Sequence, residues 1–378
     1  MSPPLPPPAP AAEVAWVATT ASPTLAAPVA EPLERAALAR CGEADAGVAD
    51  VARAVLRERI RTGKLPDPEW TSFTQRSLGE PHPWARVWAT SAKTIAPDDA
   101  MARLDAWLAT GGGDGRFRRC GAASGTAADG THVLAVITVE AFADLQALPT
   151  RGRTGQWLTV EAHLRSPARG GDVVLMGPGG QPQRLASWLE GRSLRARFAL
   201  DGPGQFTVQV MADTGSGPRP VLEALVFSDV TPPGHPTADP VPGELDEAIA
   251  DTPDDAASAL AAMLSDARAS AGLGSLVRDA RLDGAAARHS ALMANTQTLA
   301  HDATDGDPGA RIRSAGVAAR EQGENVAVAP TVTAAHRALW ASPSHRANIL
   351  HATFARVGVG VVRDAKGMVW VTEDFSAP

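Results

Sequence analysis

From Gly155 to Phe227 apolar residues alternate with polar ones, while on either side of that stretch they recur at helical spacing, so one bundle or one sheet cannot hold the whole chain. Trp157, Thr159, Glu161 and His163 alternate with Leu158, Val160, Ala162 and Leu164. Further short runs lie at Val173 to Met176, Leu194 to Leu200, Phe206 to Met211 and Val221 to Phe227, separated by turn clusters such as Gly177-Pro178-Gly179-Gly180 and Gly202-Pro203-Gly204. This spacing predicts an all-β sandwich or small barrel over residues 149–230. The Gly177 to Gly180 cluster lacks the Gly-Lys-Ser/Thr ending of a phosphate loop and reads as a hairpin turn. A length of 378 residues accommodates two or three such cores.

Ahead of the β region, residues 1–30 are rich in Pro and Ala and read as a flexible leader. Met1 to Pro10 has neither the basic nor the apolar region of a secretory signal, and no apolar run is long enough to predict a membrane span. Residues 31–148 read as an α+β domain. Val48, Val51, Ala52 and Val55 mark one helix, closed by Gly63 and Pro66. A second helical block holds Trp70, Phe73 and Leu78, and a third carries Met101, Leu104 and Trp107 before Gly111-Gly112-Gly113. A strand-like run from His132 to Val139 follows Asp129-Gly130, as expected of a hairpin.

Residues 231–254 begin as a Pro/Gly linker and pass into an acidic stretch, Glu244 to Asp255, suited to the front of a helix. Residues 255–378 form the last domain. Ala259 to Ala271 and Asp279 to Ala294 read as amphipathic helices, the second pointing His289 inward as a hydrogen-bonded core histidine and a secondary site candidate. His301 lies in a loop beside Asp302. Gly323-Glu324-Asn325 reads as a turn, with Gly323 allowing it, and Ser342-Pro343 as the N-cap and first residue of a helix carrying His345. A helix N-terminus disfavours imidazolium, so His345 is expected to be neutral, with Asn348 and Ile349 on its face. Gly358 and Gly360, inside a terminal strand pair around Lys366-Gly367, predict close approach of the sheet to a helix.

The Leu-x-His at His301, the Gly-Glu-Asn and the Ser342-Pro-x-His-Arg-x-Asn-Ile-Leu resemble the bacterial, SCP-like members of the CAP superfamily (cysteine-rich secretory, antigen 5 and pathogenesis-related proteins) over roughly residues 255–378. The resemblance implies a three-layer α-β-α sandwich, in a chain that is α+β and multidomain overall. It also implies an extracellular or cell-envelope location and a cleft gathering His301, Glu324 and His345, with Ser342 and Asn348 beside them. That trio would hold zinc or another divalent metal, or form a metal-free network that fixes the shape of the cleft. Ser342 stands where relatives outside bacteria have a second glutamate, which weakens both a metal site and a paired-carboxylate mechanism. Arg119-Cys120-Gly121 and Gly130 repeat the spacing of Arg356-Val357-Gly358 and Gly367, each after a Trp-bearing helix. Residues 33–145 are therefore either a degenerate copy of the same fold or an unrelated helical domain with a terminal hairpin.

A net charge of −7 gives no footprint for nucleic acid or an anionic membrane. The two cysteines, Cys41 and Cys120, suffice for one disulfide and not for a metal cluster. No nucleophile elbow and no His-Glu-x-x-His supports catalysis. The expected function is binding of a small hydrophobic molecule, a peptide or a divalent metal; the alternative is a hydrolase, protease or esterase-like, using the same cleft, and the β module is a further surface for a protein partner.

Overall fold

The computed structural model describes residues 16–21, 31–110, 115–213, 217–236, 241–250 and 255–378. The expected glycine stop at 111–113 and most of the leader lie outside these residues. After β1 (Thr19–Ala21), the first unit contains α1 (Pro32–Cys41), β2 (Glu43–Ala44), α2 (Ala46–Thr62), α3 (Pro68–Ser77), β3 (Arg86–Ala92), α4 (Pro97–Ala109), β4 (Arg118–Thr126) and β5 (His132–Glu140). Next come β6 (Ala143–Leu148), β7 (Arg151–Gly152), β8 (Trp157–Leu164), β9 (Gly170–Met176), β10 (Pro182–Leu185), β11 (Ser187–Glu190), β12 (Ser193–Ala199), β13 (Gly204–Asp213) and β14 (Pro218–Ser228). The last part holds α5 (Glu247–Ala250), α6 (Ala256–Ser270), β15 (Val277–Arg278), α7 (Ala280–Thr296), α8 (Pro308–Ser314), β16 (Glu321–Ala329), α9 (Val332–Ala341), α10 (Pro343–Ile349), β17 (Arg356–Arg363) and β18 (Val369–Ala377).

The period-two region is a sandwich of two five-stranded sheets, β1-β6-β8-β12-β11 and β10-β9-β13-β14-β7. Their inward residues, among them Leu158, Val160, Val173, Leu194, Phe198, Phe206, Val208 and Leu222, form one core. Two boundaries differ from expectation. The sandwich begins at β6 rather than after residue 148, because Leu145 and Leu148 belong to its core. Part of the expected leader is also a strand: Thr19 and Ala21 pair with β6, and the indole of Trp16 donates to the Pro233 carbonyl at 2.8 Å and packs edge-on against Phe73 and Phe227.

The C-terminal sheet has the order β15-β17-β18-β16, its first pair parallel and the others antiparallel. Val357, Val359, Val371 and Phe375 face α6 and α9 through Leu260, Met263, Leu264 and Leu339. The other face meets α7, where a Cβ on Gly358 or Gly360 would sit 2.2 and 2.3 Å from the backbones of Leu282 and Ala286. Glycine at these two positions is thus a contact requirement. Both faces being covered, every residue of β18 is buried. The acidic approach does not simply cap α6: Val241 and Ala250 enter the core, and Glu244 pairs with Arg337 on α9.

The N-terminal sheet repeats this plan. Its order is β2-β4-β5-β3, again with the first pair parallel. One face is covered by α1 and α4 and the other by α2, with Trp70 and Leu78 from the α3 region. Asp45 caps α2 and Asp279 caps α7, and their backbone N–H groups bond to Cys120 and Val357 respectively. The next strand residue in each case is a glycine pressed on its helix: Gly121 on Val48, Gly358 on Leu282. Cys41 and Cys120 form a disulfide joining the end of α1 to β4. Among the described residues, no helix is long and apolar enough to cross a membrane.

Candidate functional site

Glu324, Asn325, Glu373 and Asp374 are buried polar residues on two adjacent strands of the last domain's sheet. Glu324 is a strand residue of β16, paired with Asp374 in the adjacent β18. Gly323 therefore does not make a turn. Its missing side chain leaves room for Phe354 and Asn348, each 3.0 Å from where a Cβ would sit.

Both oxygens of Glu324 are engaged. His301 Nδ1–H donates to Oε1 at 2.7 Å, and the Arg311 guanidinium on α8 donates to Oε2. Arg311 also donates to the His301 carbonyl at 2.8 Å, to the Gly306 carbonyl and to Asp305 at 3.3 Å, so one side chain ties the loop carrying His301 to the carboxylate. Burial opposes ionisation of Glu324, but the His301 hydrogen bond and the Arg311 charge outweigh it and hold its pKa below the usual carboxylate range. Asp374 is the reverse case. It is fully buried, among the described residues no donor reaches either carboxyl oxygen, and burial with the Glu324 charge alongside pushes its pKa well up. Burial and the neighbouring charge thus favour the protonated form of Asp374, beside a glutamate whose ionised form is favoured.

Glu373, on the other face of β18, accepts from Asn325 Nδ2 at 2.9 Å and is pushed up to about 7 by burial. Asn348 donates to the Glu324 carbonyl at 3.1 Å and to Asn325 Oδ1 at 2.9 Å. It fastens α10 to β16 rather than flanking an imidazole, and Ile349 enters the apolar core. His345 is neutral as expected, but chiefly through burial, followed by repulsion from His301; together these push it down to about 3. Its Nδ1 has no partner among the described residues. His289 is buried with its ring nitrogens facing Asp305 at 2.8 Å and the Ala300 carbonyl at 3.0 Å, a core role.

Ser342 stands apart from this group. It occupies the N-cap of α10 without a side-chain cap bond, because its hydroxyl accepts from Gln209 Nε2 of the sandwich at 3.2 Å. Gln209 Oε1 in turn accepts from the Ser344 N–H at 3.0 Å, and its Nε2 also reaches Glu223 at 3.1 Å, which pairs with Arg76 of the N-terminal unit. One polar chain therefore links all three units to the helix bearing His345. At the other side of the site the β13–β14 hairpin approaches, a Cβ on Gly217 lying 3.4 Å from that of His301.

Arg311, Asp374, Glu373, Asn325 and Asp305 were not singled out as site candidates in the sequence. Consecutive acids inside the buried run Val371-Thr372-Glu373-Asp374-Phe375 are the signal that was available. A three-ligand zinc site does not fit these residues. Both Glu324 oxygens are committed, Arg311 already supplies the positive charge, and among the described residues no group of three ligating side chains is placed to hold a metal. A cleft of about 470 Å³ runs between the C-terminal domain and the sandwich, walled by Trp340, Arg346 and Leu350 on one side and by Gly177–Gly180, Gln205 and Thr207 on the other.

The domain is a four-stranded sheet between helices, with His301 bonded to Glu324 and the buried His345 near enough to His301 to feel its charge. Residues 261–375 match the family model described as CAP, the cysteine-rich secretory protein family, and the C-terminal domain is a CAP-superfamily domain. Among solved structures the chain is similar to an outer surface protein of Borrelia burgdorferi (17% identity, covering 32% of this chain and 92% of that one, TM-score 0.30). It is also similar to an extracellular SCP-domain protein of Bacillus anthracis (14%, 63% and 86%, TM-score 0.31) and a cysteine-rich secretory protein of Staphylococcus aureus (12%, 63% and 81%, TM-score 0.28). At such TM-scores the assignment rests on the family match alone. No curated protein sequence matches the chain.

Proposed function

We propose that this is an extracytoplasmic, non-catalytic binding protein. In it the His301, Glu324, Arg311 and Asp374 network is a framework, and the ligand, a small amphiphilic molecule or a peptide, binds in the cleft along α10. The observation that carries this reading is that the acid of the constellation is held by Arg311 and His301, while a cleft opens on the neighbouring side of α10. A volume of about 470 Å³ at a domain junction, with Trp340 and Leu350 for apolar contact and Gln205 and Thr207 for orientation, suits such a ligand. The extracytoplasmic location is supported by the disulfide, which persists in oxidising compartments.

Hydrolysis is the weaker reading on chemical grounds. An imidazole whose pKa is pushed down to about 3 is a poor base near neutral pH, and the Glu324 carboxylate, held below the usual range by His301 and Arg311, is a weak base as well.

We further propose that residues 31–140 are a copy of the same fold with its site filled in. The matching strand registers put Val87 where Glu324 stands, Val136 for Glu373 and Ile137 for Asp374, and counting from the helix caps puts Val55 for His289.

The binding reading is tested by thermal shift of the full chain against short peptides and small amphiphiles. Stabilisation should disappear in Ala271→Trp, which fills the cleft, and survive in His301→Ala. Stabilisation lost in His301→Ala but retained in Ala271→Trp would place the ligand on the constellation, and turnover of a peptide or ester abolished by Glu324→Gln would establish the hydrolase.

A further inference from the structure

The outward face of sheet β1-β6-β8-β12-β11 carries two indoles in water, Trp157 at 62% and Trp188 at 60% exposure. A tryptophan offers 150–250 Å² of mostly apolar surface, roughly, and leaving it exposed forgoes a stabilisation that the core positions of the same strands collect. Register fixes their relation. Trp157 lies opposite Ala199 on β12, and Trp188 lies opposite Arg195 on the same strand. Two strand spacings across and four residues along put them about 16 Å apart on one face.

The ground between them is polar and carries both donors and acceptors. Arg195 donates to Glu161 at 2.7 Å, and the Arg197 guanidinium lies 5.4 Å from the centre of the Trp157 ring. Thr159 is exposed beside them. A depression of about 320 Å³ is lined by Trp188, Glu190, Ser193 and Arg195.

This pattern discriminates among partners. A protein interface core is contiguous, apolar and poor in charge, whereas these indoles are separated by two arginines and a glutamate. Nucleic acid calls for a basic surface, and here Glu161 and Glu190 balance Arg195 and Arg197. A sugar ring presents an apolar C–H face with hydroxyls around its rim, each both donor and acceptor. It fits a flat indole flanked by guanidinium and carboxylate groups.

We propose that this face binds a polysaccharide, with Trp157 and Trp188 stacking on two sugar rings of one chain and Arg195, Glu161 and Glu190 holding the hydroxyls. The site is separate from the cleft along α10 and independent of what that cleft binds.

The test is co-sedimentation of the full-length protein with cellulose, chitin and purified peptidoglycan sacculi, together with indole fluorescence titration by soluble xylan. At least one polymer should bind. Trp157→Ala and Trp188→Ala should each weaken that binding roughly tenfold, and His301→Ala should leave it unchanged. Both tryptophan variants alter exposed side chains, and circular dichroism verifies their fold. Failure of all four polymers to bind the folded protein overturns the proposal, and so does binding that both tryptophan variants retain at wild-type strength.

Discussion

Replacing Arg311 by methionine isolates the interaction on which the framework depends. The side chains of Arg311 and Glu324 are 8% and 1% exposed, so neither partner can be rescued by solvent. Methionine fills much of the same volume but leaves Glu324 ionised with a single partner, His301, or forces it to take up a proton. Removing one member of a buried ion pair costs about 3–5 kcal/mol. The contacts of Arg311 with the carbonyls of His301 and Gly306 are lost as well, so the upper half of that range is expected. Arg337→Met is the internal control: its pair with Glu244 is 34% and 32% exposed and is worth less than about 1 kcal/mol. Arg311→Lys keeps the charge without the planar fork and should fall between them. Native-state hydrogen exchange of the slow β16 and β18 amides reads the C-terminal domain without requiring the three units to unfold together. A cost for Arg311→Met within 1 kcal/mol, roughly, of that for Arg337→Met would show that Glu324 is not held by its arginine.

Three further outcomes are expected. The raised pKa of Glu373 means that the folded state retains a proton that the unfolded chain releases, so this residue costs stability as pH rises from the ordinary carboxylate range to about 7. Glu373→Gln should therefore gain about 2.5 kcal/mol on wild type between pH 5 and pH 8 in parallel urea titrations, and an unchanged difference would refute the burial effect. The Cys41 to Cys120 bridge closes a separation of 79 residues, worth about 4.5 kcal/mol in the chain-entropy model, so Cys41→Ser/Cys120→Ser should lower N-terminal stability by a comparable amount, as read by exchange of the β4 and β5 amides. Gly121→Ala and Gly358→Ala should each destabilise their own unit by about 1–3 kcal/mol or more, because the added carbon meets the backbone of α2 or α7; equal tolerance at both positions would contradict the shared packing.

Much of the fold was legible because periodicity survives tertiary packing. The sandwich showed itself in the alternation of β8, and the tight approach of β17 to α7 in Gly358 and Gly360. The site was legible only in part. His301, Glu324 and His345 carry motif spacing, but their partners come from positions that look ordinary. Arg311 sits in a short helix among several arginines, and Asp374 lies in a strand buried on both faces, where alternation no longer separates inside from outside. Ser342 could not be placed from its own segment because Gln209, 133 residues away, decides where its hydroxyl points. The linker hides its role for a similar reason: Val241 and Ala250 gain meaning only from the core they enter.

The most direct test of the framework reading is calorimetric titration of the full-length protein with zinc, alongside Glu324→Gln. With Glu324 committed to Arg311 and His301, the wild type should show no stoichiometric binding at micromolar zinc, and the variant should behave the same. Stoichiometric micromolar binding that Glu324→Gln abolishes would show that the carboxylate leaves its arginine for a metal, and the constellation would then be a ligand set rather than a framework.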